Sequence, residues 1–217
     1  MRICETFVSI QGEGLTVGTP AFFIRTGRCS VGCRFCDTAY SWNSGEEILV
    51  GEIILSASSS PVPTVVVTGG EPLEEEDLPL LLNGLLDAGR RVILETCGHF
   101  FRDDLPEGVR IVLSPKPPTM GVSFPEESVL SFLKSYRQVE LKFTLFSEED
   151  LRLIKNFLKK NSVLIPRPVV FQPLHLPTEN YSDTCRRVVE MLLSDGDLLS
   201  QFDFRVIPQV HKFLGIK

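Results

Sequence analysis

Cys29-Ser-Val-Gly-Cys33-Arg-Phe-Cys36-Asp37-Thr38 decides how this chain is read, because three of its six cysteines lie in that one stretch at C-x3-C-x2-C spacing. It follows the apolar run Ala21-Phe-Phe-Ile24, which reads as a strand. Three thiolates on one short loop can hold three irons of a cuboidal 4Fe-4S cluster, and such clusters usually take a fourth cysteine. None lies nearby, so the remaining iron is left open to an outside ligand. A zinc site would want a second Cys pair, whereas Cys4, Cys97 and Cys185 are scattered singly. A disulfide staple belongs to a small domain in an oxidising compartment, and neither condition fits.

An open iron is what S-adenosylmethionine (SAM) needs to chelate the cluster through its amino and carboxylate groups before reductive cleavage to a radical. With Phe35 before its last Cys, the motif resembles that of the radical SAM superfamily. A second motif supports this. Thr64-Val-Val-Val-Thr68 reads as a buried parallel strand running into Gly69-Gly-Glu-Pro72. Glycines at that strand end let backbone approach a ligand closely, and in the superfamily a Gly-Gly-Glu-Pro sequence contacts the methionyl amino group.

Bulk properties set the frame. A chain of 217 residues, 43% hydrophobic, fits one globular domain with a full core. The net charge of −6 and the absence of long Lys/Arg blocks leave no basic footprint for nucleic acid. No run approaches about eighteen apolar residues, so no membrane span is expected. Met1-Arg-Ile-Cys-Glu5 is not a signal segment, which makes the expected location cytoplasmic.

Helix-like spacing covers 48–57, 77–88, 125–136, 148–160 and 183–194. Strand-like runs cover 91–96, 110–116, 139–144 and 169–173. Strands alternating with helices from Ala21 onward argue a parallel sheet of β-α units, with every ligand motif at a strand's carboxyl end. The expected fold is an α/β partial (incomplete) TIM-like barrel of about six parallel strands. By the superfamily resemblance it is a radical SAM core with a reduced helix complement. Glu140 and Lys142 fall on one face by period two and are expected to form an internal ion pair.

Ser9-Ile-Gln-Gly-Glu-Gly14 taken alone is a tight turn. Fifteen residues before the first cluster Cys, and with Cys36-Asp-Thr38, it resembles the 7-carboxy-7-deazaguanine synthases of the queuosine (7-deazapurine) pathway. Gln172-Pro-Leu-His175 and His211-Lys-Phe-Leu214 match that family too, while Cys97 stands where relatives have Asn. The resemblance implies a lyase that converts 6-carboxy-5,6,7,8-tetrahydropterin to 7-carboxy-7-deazaguanine with loss of ammonia. It divides the domain 1–217 into a substrate loop (5–20), a cluster loop (29–38) and a docking tail (205–217).

Site residues follow by the same carry-over. Ile10, Gln11, Gly12, Glu13, Arg25, Thr68 and His211 would meet the pterin, with Lys217 at the place of a terminal Pro in relatives. Phe35, Cys36, Asp37, Gly70, Glu71, Ser114, Pro115, Lys116, Gln172, Pro173, Leu174 and His175 would hold SAM. Cys29, Cys33 and Cys36 would bind the cluster, and Thr38 a Mg2+. No side chain is expected to be catalytic, since the radical comes from the cofactor. The implied partners are the pterin, an external flavodoxin- or ferredoxin-like electron donor and a second copy in a homodimer. Rival readings are a glycyl-radical enzyme activase and a non-catalytic Fe–S or zinc carrier. Gly-Gly-Glu-Pro argues against the carrier, and the Gln-Gly-Glu-Gly loop against the activase.

Overall fold

Short β-branched runs bounded by Gly and Pro become strands because both of their faces can be buried. The computed structural model describes residues 1–217. Its strands are β1 (Arg2–Ile10), β2 (Pro20–Thr26), β3 (Glu46–Glu47), β4 (Thr64–Gly69), β5 (Arg91–Thr96), β6 (Arg110–Leu113), β7 (Val139–Leu145), β8 (Val169–Pro173) and β9 (Phe204–Val206). They form one sheet in the order β3-β1-β2-β4-β5-β6-β7-β8-β9, with β3 and β9 as open edges. The strands from β2 through β4 to β9 are parallel, and β1 and β3 are antiparallel additions at one side.

Parallel neighbours need crossovers. These are α1 (Val50–Ser59), α2 (Leu78–Asp87), α3 (Glu126–Ser135), α4 (Glu148–Lys160), α5 (Tyr181–Ser194) and α6 (Gly196–Gln201), with α7 (Val210–Leu214) in the tail. The β5–β6 connection carries no α-helix, so the helix complement is reduced and the fold is an unclosed TIM-like barrel. Sequence reading finds the six longer parallel strands and misses β1, β3 and β9. α4 shows why the longer elements are legible. Ser147 and Asp150 cap it reciprocally, acids fill its first turn and Lys159 and Lys160 its last.

Alternation divides each strand. On the outer face, Phe22, Ile24, Val65, Val67, Leu94, Ile111, Leu113, Leu141, Phe143 and Phe171 pack with Leu78, Leu82, Ile154 and Phe157 of the helices. On the inner face, Ala21, Phe23, Val66, Ile93 and Val112 form a small apolar plug under Phe7. Above that plug the inner positions turn polar, and there the barrel opens.

Candidate active site

The opening is lined from nearly every strand end: Arg25 on β2, Thr68 on β4, Glu95 on β5, Ser114 after β6, Lys142 and Thr144 on β7, Gln172 on β8. Cys29, Cys33 and Cys36 lie on one wall of it, with Phe35, Asp37 and Thr38 beside them. Cys33 and Cys36 are backed by Met120, Leu174 and Leu176. Burial pushes the Cys33 thiol up to about 11, and pushes Cys29 up as well, although the Val31 and Gly32 amides point at its sulfur. Three thiols on a loop with an apolar backing suit a cluster whose irons replace the protons.

Gly69 and Gly70 have a reason visible in the packing. Gly69 has φ 145°, and a Cβ on Gly70 would stand 1.8 Å from the Arg28 carbonyl oxygen and 2.9 Å from Cys29 Cβ. Gly70 N–H donates to Thr26 O at 3.1 Å and Glu71 N–H to Arg28 O at 2.7 Å. The strand end is thereby fastened to the backbone that carries the first cysteine. Only residues without a side chain permit that approach.

Glu71 does not line the opening. Its buried carboxylate accepts from Thr96 Oγ1 (2.6 Å), Cys97 N (2.9 Å), Cys97 Sγ (2.7 Å) and Leu73 N (3.1 Å), which ties β4 to β5. Pro115 and Pro173 are likewise absent from the lining, while Ser114, Lys116, Gln172, Leu174 and His175 line it. Those three residues, expected at SAM, therefore stand behind the wall. Gly70 is part of the wall itself.

Ile10, Gln11, Gly12 and Glu13 line the pocket too, with His211 and Lys217 of the tail. Val210 N–H donates to Gly12 O at 2.9 Å. A Cβ at Gly12 would lie 2.1 Å from His211 Nδ1, so glycine is needed for the tail to seat. Phe213, Leu214 and Ile216 stay largely exposed, but the Phe213 ring packs on Tyr181 with centroids 5.2 Å apart, and polar contacts also hold the segment. Arg25 donates through Nε to Glu5 Oε1 at 2.9 Å, and its terminal nitrogens take no protein acceptor. Glu5 also receives the Tyr40 hydroxyl at 2.8 Å and the Lys217 ammonium.

The expected Glu140–Lys142 pair is not formed. Lys142 Nζ donates to Glu13 and to Glu95 Oε2 (3.0 Å), while Glu140 accepts the Leu15 amide at 2.8 Å. Period two places Glu140 and Lys142 on one face, yet the ammonium rises to the Gln11–Glu13 loop. Burial alone would push the Glu13 carboxyl up, but Lys142 and the Gln209 amide hold it well below the usual carboxylate range. Burial opposes the Lys142 charge too, and the two carboxylates keep it protonated. Burial and the Glu13 charge push Glu95 up.

Glu95, Lys142 and Gln209 are lining residues that sequence reading missed. A charged residue inside Val92-Ile-Leu-Glu95 was the available signal for the first, because a charge on a buried strand needs a partner. Gln209 bridges Glu13 (2.7 Å) and Asp37 (3.0 Å) through Nε2. Glu13, Asp37 and His211 bring ligand atoms within 4.8 Å of one another, but the two carboxylates already accept these N–H donors.

Relatives match this arrangement along the chain. The Radical SAM superfamily profile covers residues 23–184. 7-Carboxy-7-deazaguanine synthase of Methanospirillum hungatei JF-1 is 34% identical over all of this chain and 86% of its own. That of Pyrobaculum aerophilum is 35% identical over 97% of this chain and 93% of its own, and that of Thermoplasma acidophilum 30% over 99% and 97%. QueE from Escherichia coli superposes with a TM-score of 0.70 at 23% identity, covering 94% of this chain and 92% of that one, a likeness of fold. Full-length identity at this level, on a pocket that gathers both the cysteine loop and the Gln-Gly-Glu-Gly loop, places the chain in the 7-carboxy-7-deazaguanine synthase family of the radical SAM superfamily.

Proposed function

We propose that the protein is a radical SAM lyase converting 6-carboxy-5,6,7,8-tetrahydropterin to 7-carboxy-7-deazaguanine with release of ammonia, in 7-deazapurine (queuosine) biosynthesis. One observation supports this reading most: the three-cysteine loop and the Gln11–Glu13 loop line a single pocket. When bound, the reduced cluster and SAM supply hydrogen-atom abstraction at C6 of the pterin and its later return. Everything else falls to the chain's own groups. Cys29, Cys33 and Cys36 would hold the cluster, and Ser114, Lys116, Gln172, Leu174, His175 and the Gly70 backbone would hold SAM. The Gln172 Oε1 atom is buried without a protein partner, as expected of a group that waits for a ligand.

Arg25 would take the substrate carboxylate on its two uncommitted terminal nitrogens, a geometry that suits bidentate recognition. Phe7 and Phe23, stacked at 4.9 Å, floor that side with apolar surface. Thr38, whose hydroxyl lies 3.5 Å from Cys36 Sγ, would share a Mg2+ with the carboxylate, a hard cation on oxygen ligands. An external flavodoxin- or ferredoxin-like donor, a cytoplasmic location, a homodimer and one domain over residues 1–217 complete the proposal. No helix is long and apolar enough to cross a membrane.

The test is an anaerobic assay of the reconstituted protein with reductant, SAM, Mg2+ and the pterin. Deazaguanine carboxylate and ammonia in excess over 5′-deoxyadenosine would support it. SAM cleavage with the pterin untouched would sink it in favour of an activase, and bound zinc without sulfide would favour a carrier.

A further inference from the structure

We propose that Lys142 is a positioning residue for the pterin: one buried ammonium in the barrel sets the two polar side chains of the loop that meets the substrate. The inference rests on the pterin reading of the pocket. Lys142 is 2% exposed, on β7. It binds Glu13 directly, and it binds Glu95 Oε2 at 3.0 Å. Glu95 spends its other oxygen on Gln11 Nε2 at 3.0 Å, and Gln11 Oε1 accepts the Glu13 amide at 3.2 Å. Gln209 closes the set on Glu13 Oε1 at 2.7 Å.

The consequence is a fixed pattern. An isolated Gln amide presents either end, but here its nitrogen is committed to Glu95 and its oxygen to backbone N–H. Glu13 is held at both oxygens. The pocket therefore offers one donor–acceptor order to the ring edge, which is how a site built on hydrogen bonds separates its substrate from analogues. Lys142 has three N–H donors and spends two on protein, so the third remains for a ligand or water. Stability alone gives little reason for the charge, because apolar side chains usually replace a buried ionic set at no loss. Removing only the ammonium leaves two half-buried carboxylates close together, and both loop side chains lose their setting.

The experiment compares the reconstituted wild type with Lys142→Met, reading KM and kcat for 6-carboxytetrahydropterin, iron and sulfide content, and the Kd for SAM. The expected result is a KM raised about a hundredfold, kcat lowered less than about tenfold, and unchanged cluster content and SAM Kd. A KM within about threefold of wild type overturns the inference. Should Lys142→Met fail to fold, Glu95→Gln keeps the shape and removes one link. It is expected to raise KM about tenfold, and a KM within about twofold of wild type overturns the relay. A wild type that leaves the pterin untouched removes the functional reading first, and is told apart by failing before any variant is made.

Discussion

The two faces of the sheet, made by the same strands, are built on opposite terms. Outward positions such as Phe22, Val67, Leu113 and Phe171 are closed, apolar and mutually packed. Inward positions at the carboxyl ends, such as Arg25, Thr68, Glu95, Ser114, Lys142 and Gln172, are polar and border an open pocket. Burying a charge costs far more than burying a methyl group unless it is paired. The inner face pays for its chemistry with networks, and the outer face supplies the stability. Residues one position apart therefore fail in different ways.

The largest effect expected on the inner side is Cys36→Ala. It should abolish product formation and cluster absorbance, while the apo protein keeps its circular dichroism and melting temperature. Loss of fold instead would erase the division between the faces. Gly70→Ala comes next, since its Cβ would overlap the Arg28 carbonyl. SAM Kd is expected to rise at least about tenfold, or about 1.4 kcal/mol, read by equilibrium binding to the reconstituted protein. An unchanged Kd would mean that the junction between β4 and the cluster loop yields freely.

The smallest effect concerns pH. The folded Glu13 carboxyl is held below its ordinary 4.5 by Lys142 against burial. Its ion pair thus contributes fully above that value, and the contribution is lost as pH falls below it. Glu13→Gln should flatten the fall in melting temperature between about pH 5 and pH 3 relative to wild type. Parallel curves would show that the pair carries no linkage. Glu95 is pushed the other way and does not add to this loss on acidification.

Much of this division was open to sequence reading. The cysteine loop, Gly-Gly-Glu-Pro and the outer-face strands announce themselves through spacing and through unbroken apolar runs. Buried parallel strands hide their alternation, however, because both faces are covered. That is why Glu95 passed unnoticed and Lys142 was matched with Glu140, its neighbour in sequence, rather than with Glu13 far along the chain. Glu71 stands behind the pocket lining for a reason that sequence also hides. A motif fixes which residues gather at a site, but not which carboxylate is consumed in bracing its own turn. β1, β3 and β9 were missed because their pairing depends on a sheet edge already formed.

Phe171 and Gln172, adjacent on β8, provide the most direct test. Phe171 is buried among the helices, and Gln172 faces the pocket with Oε1 unpartnered. Urea unfolding and SAM binding would be measured on both alanine variants. The account predicts a stability loss of about 3–5 kcal/mol for Phe171→Ala with SAM affinity of the folded protein kept. For Gln172→Ala it predicts an affinity lowered about tenfold with the urea midpoint little moved. If Gln172→Ala unfolds as readily as Phe171→Ala while binding SAM normally, the two faces do not divide the labour.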